Sequence, residues 1–202
     1  LGKSELEVLG NVSNDGATAV EYGTPYNLDL MIEGVTPMLF HGWNVQSIDE
    51  KGKAPKNSKA KKTDDIPSYV YRDDKDNLCL PGENLRQAMI MAAKFKQDPR
   101  SPRKSAADLF KAGIICNTYL ASLGVKDWDY IDRRRAMVQR QGITRCRPAL
   151  REGWKARFNF TVLLPEYIDR HLFAAVLNDA GRLIGVADFR PTFGRFTIVQ
   201  FK

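Results

Sequence analysis

The order of periodic segments along the chain predicts an α+β fold with a ferredoxin-like, RNA-recognition-like βαββαβ core, into which a basic loop and a basic hairpin are inserted. Three observations carry this prediction. Residues 26–33 and 154–163 alternate apolar and polar side chains with the period of half-buried strands. Residues 82–95 and 166–180 place apolar residues at helical spacing. Strand patterns at 114–120 and 195–201 complete the order strand, helix, strand, strand, helix, strand.

In YNLDLMIE, Tyr26, Leu28, Leu30 and Ile32 share one face, and Asn27, Asp29, Met31 and Glu33 share the other. TPMLFHGWN follows, and Pro37 and Gly42 break its pattern. KGKAPKNSKAKK, residues 51–62, holds six lysines and no large apolar residue, so it reads as a flexible inserted loop. SYVYRDD and LCLPG read as two short strands around an Asp-rich turn, DDKDN. The first long helix opens at Pro81–Asn84 and places Leu85, Ala88, Met89, Ala92 and Phe95 on one face. QDPRSPR reads as a loop, residues 105–111 as a shorter helix and 114–120 as a strand.

Charge concentrates after that point. The chain of 202 residues carries a net charge of +7. Between Arg133 and Arg157 stand nine basic residues and one acid, Glu152, so this window alone contributes +8. Its turn signals and alternation read as an ordered hairpin with Gly142 at or near the turn. Arginines held in place by a hairpin make better phosphate ligands than a mobile tail does. Residues 154–163 follow as a strand whose wet face offers Lys155, Arg157, Asn159 and Thr161 and no stacking aromatic. Pro165 and Glu166 suit the first turn of the second long helix, Ile168, Leu172, Val176, Leu177 and Ala180 form its buried stripe, and Gly181 suits its C-terminal cap. RFTIVQF carries large apolar residues on both faces and reads as a central strand. With no internal repeat and no linker, one domain spans residues 1–202, its core about 25–202 and its insertions about 44–66 and 121–152.

The chemistry is narrowed by what the chain lacks. It has no G-x-x-x-x-G-K-[ST] loop, no strand–GxGxxG–helix unit and no G-x-S-x-G elbow. Two histidines and three scattered cysteines give no metal-ligand spacing, so no metal and no cofactor are expected. The unpaired cysteines point to a reducing, cytoplasmic setting, and no apolar run is long enough for a membrane span. DDKDN superficially suggests a calcium loop but lacks the later glutamate, so it reads as a turn. His41 could act as a general base on a ribose 2′-hydroxyl, but a capping or stacking role suits it better, and no catalytic residue is assigned.

What remains is a basic surface for a polyanion. Its residues are Lys59, Lys61 and Lys62 of the lysine loop; Arg86; Arg133, Arg134, Arg135, Arg140, Arg145 and Arg147 of the hairpin; Lys155 and Arg157; and Arg182, Gly185, Arg190, Gly194 and Arg195 of AGRLIGVADFRPTFGRF. In that last stretch glycines suit close approach of a phosphate to the main chain. The expected ligand is a single strand bound through loops and backbone contacts with little sequence preference, RNA ahead of DNA. A metal-independent RNA endonuclease with His41 as base and a basic module that docks an acidic protein are the alternatives.

Two motifs also carry a family resemblance. LCLPGENLRQAM, with Pro81, Gly82, Leu85 and Arg86, resembles the strand–Pro-Gly–helix step of the repeat-associated RNA-binding (RAMP) proteins of CRISPR effector complexes. GRLIGVADFRPTFGRF, ending in Arg190, Phe193, Gly194 and Arg195, resembles the family's glycine-rich loop between the second helix and the last strand. The chain is most similar to the backbone subunit, which lines the guide RNA in several copies. The resemblance therefore implies guide RNA, copies of the same chain and other effector subunits as partners, in antiviral defence.

Overall fold

A computed structural model describes residues 23–42, 49, 52–53, 55, 65–138 and 141–202, and for 136–138 and 141–143 the backbone alone. Lys59, Lys61, Lys62 and Arg140 lie outside the described residues, as does the arm expected before residue 23. In chain order the elements are β1 (Tyr26–Gly34), β2 (Met38–Leu39), β3 (Tyr71–Arg72), β4 (Leu78–Pro81), α1 (Gly82–Ala92), β5 (Gln97–Asp98), β6 (Ser101–Ser105), α2 (Ala107–Gly113), β7 (Ile114–Cys116), β8 (Leu120–Ser122), β9 (Tyr130–Val138), β10 (Gln141–Leu150), β11 (Lys155–Val162), α3 (Arg170–Asp179) and β12 (Phe196–Phe201). The protein is thus a mixed α/β chain built on antiparallel sheets.

The largest sheet has the order β12-β1-β11-β7, and every neighbouring pair is antiparallel. Alternation sets its two faces. Leu28, Leu30 and Ile32 of β1 stand opposite Phe160, Phe158 and Ala156 of β11, and all six are buried. α1 and α3 pack against one another over this face, contributing Leu85, Ala88, Met89, Phe173, Val176 and Leu177 to the same core. Phe173 sits at the centre, its ring 5.7 Å from that of Phe160 in an edge-on contact and 6.4 Å from that of Phe110. Truncating so large a buried ring costs about 3–5 kcal/mol, so this cluster anchors the layer. The opposite face stays wet. There Asn117 donates to Asn159 (2.6 Å) and Thr161 (2.8 Å), Asn159 to Asp29 (2.9 Å), and Thr161 to Asn27 (2.7 Å).

Three smaller sheets surround this layer: β2-β10-β9, β3-β4-β8 and the β5-β6 pair. The last forms in a stretch read from sequence as a loop, where the Asp98 carboxylate takes the Arg100 guanidinium in a bidentate pair. The strand expected over 114–120 is two strands in different sheets. The chain leaves β11 after Cys116, and Tyr119 accepts the Gly82 amide (2.9 Å) on the way to pairing with β4. β12 is an edge strand, not the central one that its apolar content suggested. Its outer positions Thr197 and Val199 are exposed, while Phe196 is buried.

The second long helix begins later than expected. Pro165 opens a turn, in which Tyr167 and Ile168 both donate to the Leu164 carbonyl, and the helix starts only after Asp169. Asp169 is the cap, its carboxylate accepting the Leu172 amide at 2.7 Å. Asp169→Ala should therefore destabilise the protein by about 1 kcal/mol, read from the urea midpoint, whereas Asp169→Asn should keep most of that stability. At its other end the helix continues through a wide turn, Ala180–Ile184, and stops at Gly185 with φ +79°. Gly181 is not the cap. It lies inside that turn, and a Cβ there would meet the Phe196 carbonyl at 2.2 Å.

Candidate nucleic-acid interface

The basic hairpin is formed by β9 and β10, with Gln141 opposite Val138 and Ala149 opposite Tyr130. Gly142 lies in β10 opposite Met137, one pair from the last pair of the hairpin and so near its turn, as expected. Period-two alternation divides the arginines between two faces. Asp132 and Arg147 form a cross-strand pair, and Arg134 and Arg145 form the next pair on that face. Arg133 and Arg135 point to the other face and are exposed.

The first face docks on the loop between α3 and β12. Arg134 donates two hydrogen bonds to Asp132 (2.5 and 2.6 Å), and its guanidinium lies 4.4 Å from the Phe193 ring centre and 5.1 Å from that of Phe189. The carboxylate at its side raises the Arg134 pKa further. The Arg147 side chain is buried, only 7% exposed, pairs through Nε with Asp188, and lies 5.5 Å from the Phe189 ring centre. Its Nη1 is buried and makes no hydrogen bond among the described residues. The hairpin and the loop, distant in the chain (Arg147 and Asp188 stand 41 residues apart), are thus one assembly held by two arginines, two phenylalanines and two aspartates.

The loop itself is wound tightly. Gly185, Ala187, Phe189 and Gly194 all have φ between +58° and +79°. Left-handed backbone is rare for a residue as bulky as phenylalanine, and such residues cluster where surrounding contacts over-determine the chain. Those contacts are visible: Phe193 meets Phe189 edge-on at 6.0 Å, and both rings lie under Arg134. This corrects the reason for the glycines. The Gly185 amide donates to Ala180 (2.8 Å), that of Gly194 to Pro37 (2.8 Å), and that of Val186 to Gly194 (2.9 Å). The glycines close the loop on itself, and these amides do not face a phosphate.

No family model matches the chain, and no curated protein matches it with significance.

The other basic residues divide by what they touch. Arg190 and Arg195 are exposed on the loop, and like Arg133 and Arg135 they make no ion pair with a described residue. Arg182 is exposed and reaches Asp179 at 3.4 Å. Lys155 pairs with Glu33 across the wet face of the large sheet (3.5 Å), and Arg157 is exposed beside it, opposite Met31. Arg145 is half-buried. Arg86 stands apart. It donates to the Lys111 carbonyl (2.6 Å) and the Ile114 carbonyl (3.1 Å), tying α1 to the end of α2.

His41 is exposed, with its ring 4.5 Å from that of Tyr69. Cys116 donates to the Thr118 carbonyl, and burial pushes its thiol up to about 11, far from a reactive thiolate. Among the described residues no group of His, Cys, Asp or Glu could hold a metal, and no helix is long and apolar enough to cross a membrane.

DDKDN forms a turn. The Asp73 carboxylate accepts from the Lys75 backbone amide (3.0 Å), from the Asn77 backbone amide (2.8 Å) and side chain (3.0 Å), and from the Ser122 hydroxyl (2.8 Å). The Asn77 bonds do most to lower its pKa from 3.8 to about 2. The charged form is thus favoured by folding, so this contribution is complete above pH about 4 and lost as pH falls toward about 2. The difference in melting temperature between wild type and Asp73→Ala should be constant near neutrality and close over that interval.

Sequence reasoning missed Asp132, Asp188 and Phe189. The signal was the spacing of Phe189 and Phe193, four residues apart with Arg190 and Pro191 between them.

Proposed function

We propose that the protein binds a single-stranded nucleic acid, RNA ahead of DNA, along the assembly of hairpin and loop, without cleaving it. The observation that carries this reading is the docking of Arg134 and Arg147 on Phe189, Phe193 and Asp188. It anchors the charged hairpin on the loop and leaves Arg133, Arg135, Arg190 and Arg195 as exposed donors on an anchored backbone. Guanidinium groups presented from an anchored backbone suit phosphate oxygens, which carry charge and geometry but no sequence.

The order β12-β1-β11-β7, with α1 and α3 as the two crossovers, supports the ferredoxin-like βαββαβ reading. The wet face of that sheet is an amide and hydroxyl network with no aromatic platform, which favours loops and hairpin over the sheet as the binding surface. On this reading the chain is a RAMP-like backbone protein that lines a guide strand beside copies of itself. Purification at low salt should bring down host RNA, detected by ultraviolet absorbance and removed by ribonuclease but not deoxyribonuclease. A preparation free of nucleic acid that also fails to bind an added strand would contradict the reading.

A further inference from the structure

We propose that the cavity at the root of the hairpin is a subsite for one pyrimidine base of the bound strand. This rests on the strand-binding reading above and adds a base contact to it. The cavity, of about 120 Å³, is walled by Phe40, His41, Tyr69 and Tyr71, with Asn84 and Asp188 at its edge. It adjoins the arginine assembly directly. Phe40 donates to the Pro148 carbonyl of β10 (2.9 Å), Leu39 bridges to Asp188, and Asp188 holds Arg147.

The aromatic wall is built, not incidental. The Gly42 amide donates to the Tyr69 carbonyl at 2.7 Å, and a Cβ on Gly42 would meet that oxygen at 2.8 Å and the Tyr71 ring at 3.1 Å. The glycine therefore lets the His41–Gly42 segment lie down on the two tyrosines. Phe40 and Tyr69 are buried, Tyr71 is half-buried, and the His41 ring is exposed.

Flat rings with an amide and a carboxylate at their edge match a nucleobase. Bases splayed from a single strand stack on Phe, Tyr and His and are read by hydrogen bonds along their edges. The carboxylate argues against a phosphate here. Size favours one six-membered ring: a buried cavity of about 150 Å³ holds a benzene, and this one is of similar size and half open, so a single ring can seat in it while its sugar stays outside. The cavity is half open to solvent, so a fused purine would seat only one of its two rings against the wall.

The test is fluorescence anisotropy with three RNA strands of about 30 nucleotides: oligo-U, oligo-A and a fully abasic strand. Wild type should bind oligo-U roughly 5- to 30-fold more tightly than the other two, in line with the loss seen when one stacking side chain is removed. His41→Ala and Tyr71→Ala should each lower oligo-U affinity toward the abasic level and leave the salt dependence unchanged. Should Tyr71→Ala melt early, His41→Ala decides, since its ring is exposed. Equal wild-type affinity for all three strands, tighter binding of oligo-A, or a preference that survives in folded variants would overturn the base subsite and leave strand binding standing. Failure of wild type to bind any strand would overturn strand binding itself and the subsite with it.

Discussion

Gly194→Val should lower the melting temperature by roughly 6–12 °C, the equivalent of about 3 kcal/mol for a chain of this size. Gly194 has φ +72°, and a Cβ there would lie 1.9 Å from the Val186 carbonyl oxygen. Left-handed backbone costs a side-chain-bearing residue about 1–2 kcal/mol, and forcing the Val186 backbone aside adds about 1–3 kcal/mol. The shift would also disturb the bonds of the Gly194 amide to Pro37 and of Val186 to the Gly194 carbonyl. Gly124 is the control. It has the same φ of +72° with nothing within 4 Å of a Cβ, so Gly124→Ala should cost only the backbone term, about 1–2 kcal/mol. A Gly194→Val protein with an unchanged melting temperature but weakened strand binding would return the glycine to a direct role at phosphate.

Sequence patterning made β1, β11, α1 and the basic hairpin legible because each declares itself through periodicity over eight or more residues. Leu28, Leu30 and Ile32 are buried where alternation put them, and Leu85, Ala88, Met89 and Ala92 where helical spacing put them, whereas Phe95, expected on the same face, lies past the end of α1 and is exposed. What could not be read was decided by tertiary contacts. β12 looks central because its apolar residues crowd both faces, yet nothing in those residues states which edge is paired. Pro165 carries the signal of a helix start, but Asp169 supplies the cap that a helix needs. Gly181 and Gly194 look like a cap and a ligand contact. Only the positions of the Phe196 and Val186 carbonyls, one on β12 and one across the loop, explain them. The same holds for the candidate site. Arg134 and Arg147 are indistinguishable in sequence from Arg133 and Arg135, and only the β9–β10 register separates those that fasten the loop from those that face outward.

That separation gives the second large effect. Arg147→Ala should act on the fold, because it strips the partner from Asp188 and the cover from Phe189 at a side chain only 7% exposed. A loss of roughly 1–3 kcal/mol is expected, discounted because Asp188 keeps some access to water. Replacing Arg133 and Arg135 together by alanine should leave the melting temperature within about 1 °C of wild type, as exposed substitutions do. Its effect should fall on binding. If the assembly contacts about four to six phosphates, the logarithm of affinity should fall with the logarithm of salt at a slope of roughly −3 to −4. Two contacts removed should flatten that slope by about 1.4, equally for every strand sequence.

The most direct test of the central claim is therefore one titration. Anisotropy of a labelled mixed-sequence RNA strand is followed across a series of salt concentrations, for wild type and for the folded Arg133→Ala, Arg135→Ala double variant. The account predicts a steep wild-type slope and a slope flatter by about 1.4 in the variant. A wild type whose binding is absent or indifferent to salt, or a folded variant with the wild-type slope, would contradict it.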